Sequence, residues 1–443
     1  MRREALATLA LTAVILLGCG DSTEPDGDSR VLWTFEASEP IYYGSPALSA
    51  DDSTVYIGTS TSYYGAAGSD HAFYALTVAT GKVKWRYPLG EAMVRSSAAV
   101  APDGSIYFVT TGPDEIDGTV NDHLVHLDTR GRYLWSYDIN PQVKGSPIGQ
   151  SSPAVGPDGT VYVAGDVLYA INPDGSRKWK TLANLGEDMR NSPVVGADGT
   201  VYFVYHNVPL TAFDPDDGGV RWSTPLGVND HCFASPAIGA DGTLYVATNP
   251  GVLYAVNAAG SVLWTFSLGS VGYAGTMRSS PAVDADGSIY FGTNEGSPAP
   301  ALFAVDSGGN LKWRFDPSDL PSDLPPGHFD IYSSPAIGSD GTIYFGQEFG
   351  RVYALDPADG SMRWMETTRD GITWCSPRAD HRRRARDRRS LGAHLRHADR
   401  QPRTQSSGAV AQVPPRRPEQ RVSDGGRVGV WQAGASDLRE QDD

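Results

Sequence analysis

Tryptophan recurs along this chain at a near-constant interval. It stands at positions 33, 85, 135, 179, 222, 264, 313 and 364, separated by 52, 50, 44, 43, 42, 49 and 51 residues. Two other markers keep step with it. One is Ser-Pro-Ala or a close variant: Ser45-Pro46, Ser97-Ala98, Ser152-Pro153, Ser192-Pro193, Ser235-Pro236, Ser280-Pro281 and Ser334-Pro335. The other is Asp-Gly-Thr/Ser-apolar-Tyr, ending at Tyr107, Tyr162, Tyr202, Tyr245, Tyr290 and Tyr344, with Asp52-Ser53-Thr54-Val55-Tyr56 as its first, divergent copy. All three keep one order in all seven units. A repeat of this length cannot bury its apolar face alone, so neighbouring units must stack.

Each unit reads as four short strands, A to D. In the last complete copy, Ser333–Gly338 is A, Ser339-Asp340-Gly341 a turn, and Thr342–Gly346 is B, alternating with period two. Arg351–Asp356 is C, and Pro357–Gly360 turns into D around Met362–Trp364. Asp-Gly between alternating runs signals a hairpin, because Gly accepts positive φ. The 50 Gly, 31 Pro and 21 Tyr of the chain suit strands and turns. Four-stranded units at this period predict an all-β propeller. Seven blades are complete and an eighth is split or incomplete. Arg30–Glu36 matches strand D with no A–C before it, and Thr373-Trp374-Cys375-Ser376-Pro377 opens a strand A. Trp85, Trp135, Trp179, Trp222, Trp264, Trp313 and Trp364, one per outer strand, are expected to fill the wedges between blades.

The run from Ser152-Pro153-Ala154-Val155 through Asp158-Gly159-Thr160-Val161-Tyr162 to Leu168-Tyr169-Ala170-Ile171-Asn172 and Trp179 resembles the quinoprotein-type (PQQ-like) propeller repeat. The resemblance covers residues 31–377. It implies the fold but leaves function open. The family includes pyrroloquinoline quinone dehydrogenases, the propeller lipoprotein of the outer-membrane protein assembly machinery and other surface proteins.

The N-terminus reads as an address. Arg2 and Arg3 precede an apolar run, Ala5–Leu17, too short to span a bilayer comfortably. It fits the h-region of a secretory signal. Leu16-Leu17-Gly18-Cys19 resembles a bacterial lipobox, which implies lipidation at Cys19 and a signal peptide over residues 1–18. Residues 19–30 then form a polar tether. The expected location is extracytoplasmic, at the outer membrane or cell surface, with the membrane reached through the lipid anchor.

Residues 378–443 break the pattern. They carry 15 Arg and no Lys, Tyr, Phe, Ile or Met. A basic arm for nucleic acid or anionic lipid is one reading. Out-of-frame translation of a GC-rich gene is the other, and it is favoured because the break falls inside a strand. Too few large apolar residues remain there to offset ordering entropy, so a disordered tail is expected. The net charge of −16 argues against a nucleic-acid-binding body.

Catalytic constellations are scarce. Three cysteines build no disulfide framework, none adjoins another, and Cys232 and Cys375 fall on separate blades. The resemblance implies that a dehydrogenase would hold a quinone, a calcium ion and a catalytic Asp, often beside a vicinal disulfide. Asp284-Ala285-Asp286-Gly287 opens like a calcium loop but lacks the remaining ligands and reads as a hairpin turn. Asp70-His71, Asp122-His123 and Asp230-His231 lack zinc-like spacing and read as solvated loop residues. His231 beside Cys232 does not by itself make a catalytic pair.

The expectation is therefore a monomeric, non-enzymatic scaffold with no cofactor and no metal. A quinoprotein dehydrogenase and a polysaccharide-binding module are the alternatives. Loop length varies on the B–C/D–A face: Ser60–His71, Gly112–Asp122, Asn294–Pro300, Asp138–Gln150 and Asp316–Asp330. Variable loops on a rigid scaffold are where binding resides. That face receives the residue three before each Pro of the Ser-Pro marker, or before Ala98: Tyr43, Arg95, Gln150, Arg190, Phe233, Arg278, Tyr332 and Trp374. Strand A is innermost, so these side chains should ring the channel mouth. Three guanidiniums flanked by aromatics suit an anionic ligand or an acidic segment of an envelope protein. Pairing of each Arg with a nearby carboxylate is the competing expectation.

Overall fold

The computed structural model describes residues 32–39, 41, 44–60, 70–113, 120–139, 150–181, 191–204, 209–227, 232–297, 299–319, 330–347, 350–367 and Ser376, with two short segments at 12–13 and 390–391. Those two segments form a small parallel sheet of their own. The chain divides into units 1–398 and 399–443, the second outside the described residues.

The described body is all-β: seven four-stranded antiparallel blades form a propeller. Strands A to D run 47–48, 54–58, 71–77 and 83–90 in blade 1. They run 99–100, 106–113, 120–127 and 133–138 in blade 2, where Met93–Val94 adds a fifth strand. Blade 3 holds 154–155, 161–164, 168–171 and 177–180, and blade 4 holds 194–195, 201–203, 210–213 and 220–224. Blade 5 holds 237–238, 244–248, 252–256 and 262–267. Blade 6 holds 282–283, 289–292, 302–305 and 311–315. Blade 7 holds 336–337, 343–347, 351–355 and 362–367. The A–B turns close as the Asp-Gly motif dictates. In blade 3, Gly159 adopts φ +84 and Asp158 Oδ1 accepts the Thr160 N–H at 3.0 Å. Asp284–Gly287 is such a turn, with Gly287 at φ +81.

One register row explains the periodic aromatics. In blade 3, Ala154, Tyr162, Ala170 and Trp179 face one another across the four strands. Blade 7 repeats this with Ala336, Tyr344, Ala354 and Trp364. The small residue on strand C lets the Tyr and Trp rings meet over it, at 5.6 Å in blade 3 and 5.9 Å in blade 7. Blade 2 departs from the pattern: His126 fills the Ala position between Tyr107 and Trp135. The outer-strand Trp of blades 1 to 6 also reaches the next blade. The Trp179 indole N–H donates to Pro215 O at 2.9 Å, and Trp313 does the same to Pro357 O at 2.9 Å. The turn glycine beneath each of these rings, Gly218 under Trp179 for example, leaves no room for a Cβ.

The eighth position is occupied in part. Trp33 donates to Val78 O in the blade 1 turn at 2.7 Å and packs over Gly81, as an outer-strand Trp of a preceding blade would. Phe35 meets Tyr74 edge-on at 5.0 Å. Residues 32–36 carry no ladder of their own among the described residues, unlike the strand D expected there. One apolar cluster nevertheless joins Tyr344 and Trp364 of blade 7 to Val55, Ile57 and Tyr74 of blade 1, with Trp33 and Phe35 against it.

Two groups of residues differ from expectation. His71, Asp122 and His123 are not in solvated loops: they lie in strands C of blades 1 and 2, and His71 and Asp122 are buried. Thr111 Oγ1 donates to Asp122 Oδ1 at 2.5 Å, and Thr59 Oγ1 lies 3.2 Å from His71 Nδ1. Strands B and C here run past the point where alternation ends, because these side chains satisfy one another across the ladder. Likewise Asn294–Ser297, read as loop, pairs with Ala274–Thr276 as a two-stranded ribbon. Asp230 and His231 lie outside the described residues.

Candidate functional site

The innermost strands meet around a central channel, and the serines of the Ser-Pro marker form a ring in its wall. Seven of the eight ring serines precede a proline, which holds them extended, and Ser97 before Ala98 takes the same place. The Ser45 N–H donates to Ser97 Oγ at 3.1 Å, Ser97 to Ser152 at 2.9 Å, and Ser152 to Ser192 at 2.9 Å. Ser192 donates to Ser235 at 2.9 Å, Ser235 to Ser280 at 3.0 Å, and Ser280 to Ser334 at 3.0 Å. Ser334 donates to Ser376 at 2.8 Å, and the Ser376 N–H returns to Ser45 Oγ at 2.9 Å. The circuit closes with eight members, so the channel has eight positions although seven blades are complete.

All eight serines line a cavity of about 180 Å³ together with Arg95, Gln150, Phe233, Arg278 and Tyr332. These are five of the eight residues singled out by their offset from the Ser-Pro marker. Tyr43, Arg190 and Trp374 lie outside the described residues. Among the described residues, no carboxylate lines the cavity. Arg95 is only 6% exposed, whereas the Arg278 side chain is 26% exposed. The Arg278 guanidinium lies 5.2 Å from the Phe233 ring centroid, a cation–π distance. Its Nη2 is 3.7 Å from Glu295 Oε1, too long for a hydrogen bond, so the expected pairing with a carboxylate is present only as a loose ion contact.

Sequence reasoning missed the residues that position Arg278. Asn294 is buried in the ribbon, and its Oδ1 accepts the Arg278 N–H at 3.2 Å. Glu295 takes φ +49, unusual for a residue with a side chain, and donates its N–H to Asp330 Oδ1 at 2.8 Å. The Tyr332 hydroxyl donates to the other oxygen of Asp330 at 3.2 Å. The only signal was the Asn294-Glu295 pair at the start of a B–C connection.

On the far side of the ring lies a larger cavity of about 560 Å³, lined chiefly by strand A and A–B turn residues of blades 1, 6 and 7, with Ala47, Val283, Ile337 and Asp284 among its walls. Cys19 lies outside the described residues. Cys232 is buried near the start of the blade 5 inner strand. Among the described residues, no helix is long and apolar enough to cross a membrane, and no three His, Cys, Asp or Glu side chains group as metal ligands do.

Among solved structures, BamB from Moraxella catarrhalis is similar at TM-score 0.54 and 16% identity, over 74% of this chain and 89% of that one. A europium-containing methanol dehydrogenase is similar at TM-score 0.57 and 14% identity, over 77% of this chain and 81% of that one. The C-terminal WD40 domain of Sif2 is similar at TM-score 0.54 and 13% identity, over 78% and 88%. Identities this low show the propeller fold alone. Protein Rv3035 of Mycobacterium tuberculosis is 40% identical over 74 residues, which cover 17% of this chain and 16% of that protein. The family model described as outer membrane protein assembly factor BamB matches residues 74–232 and 210–373. That match spans most of the blades and well over half of the chain, and the protein belongs to this BamB-type family of quinoprotein-like propellers.

Proposed function

We propose that the protein is a non-enzymatic scaffold of the cell envelope, lipid-anchored at Cys19, that takes an acidic partner segment or a small anionic ligand on its B–C/D–A face. The observation that carries this reading is the shared cavity of Arg95, Gln150, Phe233, Arg278 and Tyr332, which presents cations and stacking surfaces with no carboxylate among its described lining residues. In a chain of net charge −16 such a spot attracts anions selectively. The family description, an outer membrane protein assembly factor, supports a protein of the envelope as the partner.

The described residues of the mouth do not favour a quinone site there: a metal-bound quinone needs carboxylates at the cavity wall, and none is among them. No catalytic step is assigned.

Two measurements test the reading. An Arg95→Gln, Arg190→Gln, Arg278→Gln variant should capture envelope proteins at least about tenfold less well, since each charged contact contributes a kcal/mol or more. Undiminished capture by the folded variant rejects the binding face. Mass spectrometry of the membrane fraction should find Cys19 as a diacylglyceryl-modified N-terminus, and an unmodified Cys19 in the mature protein rejects the anchor.

A further inference from the structure

Two arginines in this chain show how it satisfies a guanidinium that serves structure alone. In the C–D turn of blade 4, one oxygen of Asp214 accepts from both Nε (3.2 Å) and Nη2 (3.0 Å) of Arg221. In blade 7, one oxygen of Asp356 does the same for Arg363, at 3.2 and 2.8 Å. The Nε–Nη2 edge of each guanidinium is filled. Arg278 carries the same edge at the channel mouth, and there it is not filled. Its Nη2 stands 3.7 Å from Glu295 Oε1, and its Nε meets no acceptor among the described residues.

The backbone imposes that distance. Asn294 Oδ1 accepts the Arg278 N–H, Asn294 pairs with Thr276 in the ribbon, and Asp330 Oδ1 accepts the Glu295 N–H at 2.8 Å. These bonds hold Glu295 at φ +49, which glycine adopts freely and other residues rarely, although Gly296 is the very next residue. A strained side-chain-bearing residue kept beside a charged group points to a use beyond folding. Phe233 covers one face of the Arg278 guanidinium at 5.2 Å, so an incoming anion meets its edge. An edge with two parallel N–H donors matches a carboxylate.

We propose that Glu295 is an internal stand-in for a partner's carboxylate. It neutralises Arg278 loosely in the free protein, and it swings away when an Asp or Glu side chain of a bound segment takes the Nε–Nη2 edge. The proposal rests on the mouth being the binding face, and it names the group recognised and the residue that yields to it. Glu295 is free to leave: its side chain is 57% exposed, and its ion contact with Arg278 is long. Such an exposed pair contributes little, whereas a two-donor bond to a carboxylate contributes more, so the exchange runs toward the partner.

The full chain is titrated by fluorescence anisotropy with a labelled peptide, Gly-Phe-Glu-Phe-Gly, and with a twin carrying Gln in place of Glu. The acidic peptide should bind at least about tenfold more tightly than the twin, and Arg278→Gln should erase that difference. Glu295→Gln should tighten the acidic peptide about threefold, the factor an exposed ion pair accounts for. Glu91→Gln, which removes an exposed carboxylate from a D–A connection, should leave it unchanged. Added to Arg278→Gln, the Glu295→Gln change should give no gain. Should a variant fail to fold, the unaltered chain with ¹⁵N-labelled arginine supplies the second measurement: the acidic peptide should move the Arg278 Nε proton downfield, and the twin should not. Equal binding of the two peptides, no gain from Glu295→Gln, a gain that survives loss of Arg278, or an unmoved Nε proton overturns the exchange. Any of these with Arg-dependent capture of envelope proteins intact leaves the scaffold reading standing. The exchange observed together with Arg-independent capture rejects that reading and keeps the carboxylate site.

Discussion

His126 shows how much one residue can cost inside a repeat. Six blades place a small Ala between Tyr and Trp, and blade 2 places an imidazole there. The ring stacks on Tyr107 at 4.1 Å, and neither of its nitrogens has a hydrogen-bond partner. Burial pushes its pKa down to about 4, against a weaker opposite pull from Asp103 and Asp128. The fold thus favours the neutral form. Its contribution is fully present above pH 6.5 and is lost as pH falls toward 4, a swing on the order of 3 kcal/mol. His71, also lowered by burial, adds to the same limb. His126→Phe should flatten that limb and raise stability at pH 5, read from denaturation midpoints across the window. An unchanged pH profile would reject the assignment. This residue was hidden in the sequence because Tyr107 and Trp135 mark the row while its strand C position carries no marker.

At the scale of the element, the turn glycine and the Trp it supports form one joint. Gly218 sits at φ +73, and a Cβ there would come within 2.8 Å of the Trp179 ring. Gly272 also has a left-handed backbone, φ +72, but faces open space. Gly272→Ala should cost only the backbone strain, about 1 kcal/mol. Gly218→Ala adds overpacking and displaces an inter-blade indole, about 3 kcal/mol in all. Equal losses in denaturant unfolding would mean that the Trp joint carries no energy. Strand order, hairpin turns and the Trp positions were legible because each depends on local period and turn chemistry. The ribbon of Ala274–Thr276 with Asn294–Ser297 was not, since its pairing is non-local and its residues show no alternation.

At the scale of the molecule, the ring positions of Arg95, Gln150, Phe233, Arg278 and Tyr332 followed from one offset applied round a repeat. Symmetry of the blades converts a sequence interval into a place on a circle. What that arithmetic could not give is how each guanidinium is held: Arg278 over Phe233 and Arg95 buried depend on neighbours that differ from blade to blade.

The closed serine circuit also sets an order of events in time. Seven of its bonds join residues 40 to 55 positions apart, whereas the Ser376–Ser45 bond spans 331. About three doublings of loop length add roughly 2 kcal/mol of closure entropy to that one link. It therefore forms last as the chain assembles. Until seven blades have stacked, Trp33 and Phe35 have no complete seam to enter, although they leave the ribosome before any blade does. A nascent chain of this kind can lay Trp33 and Phe35 against blade 1 early, but the blade 7 side of that seam stays bare until the seventh blade is made, and the period of greatest need for a holding chaperone is set by the length of the blades between.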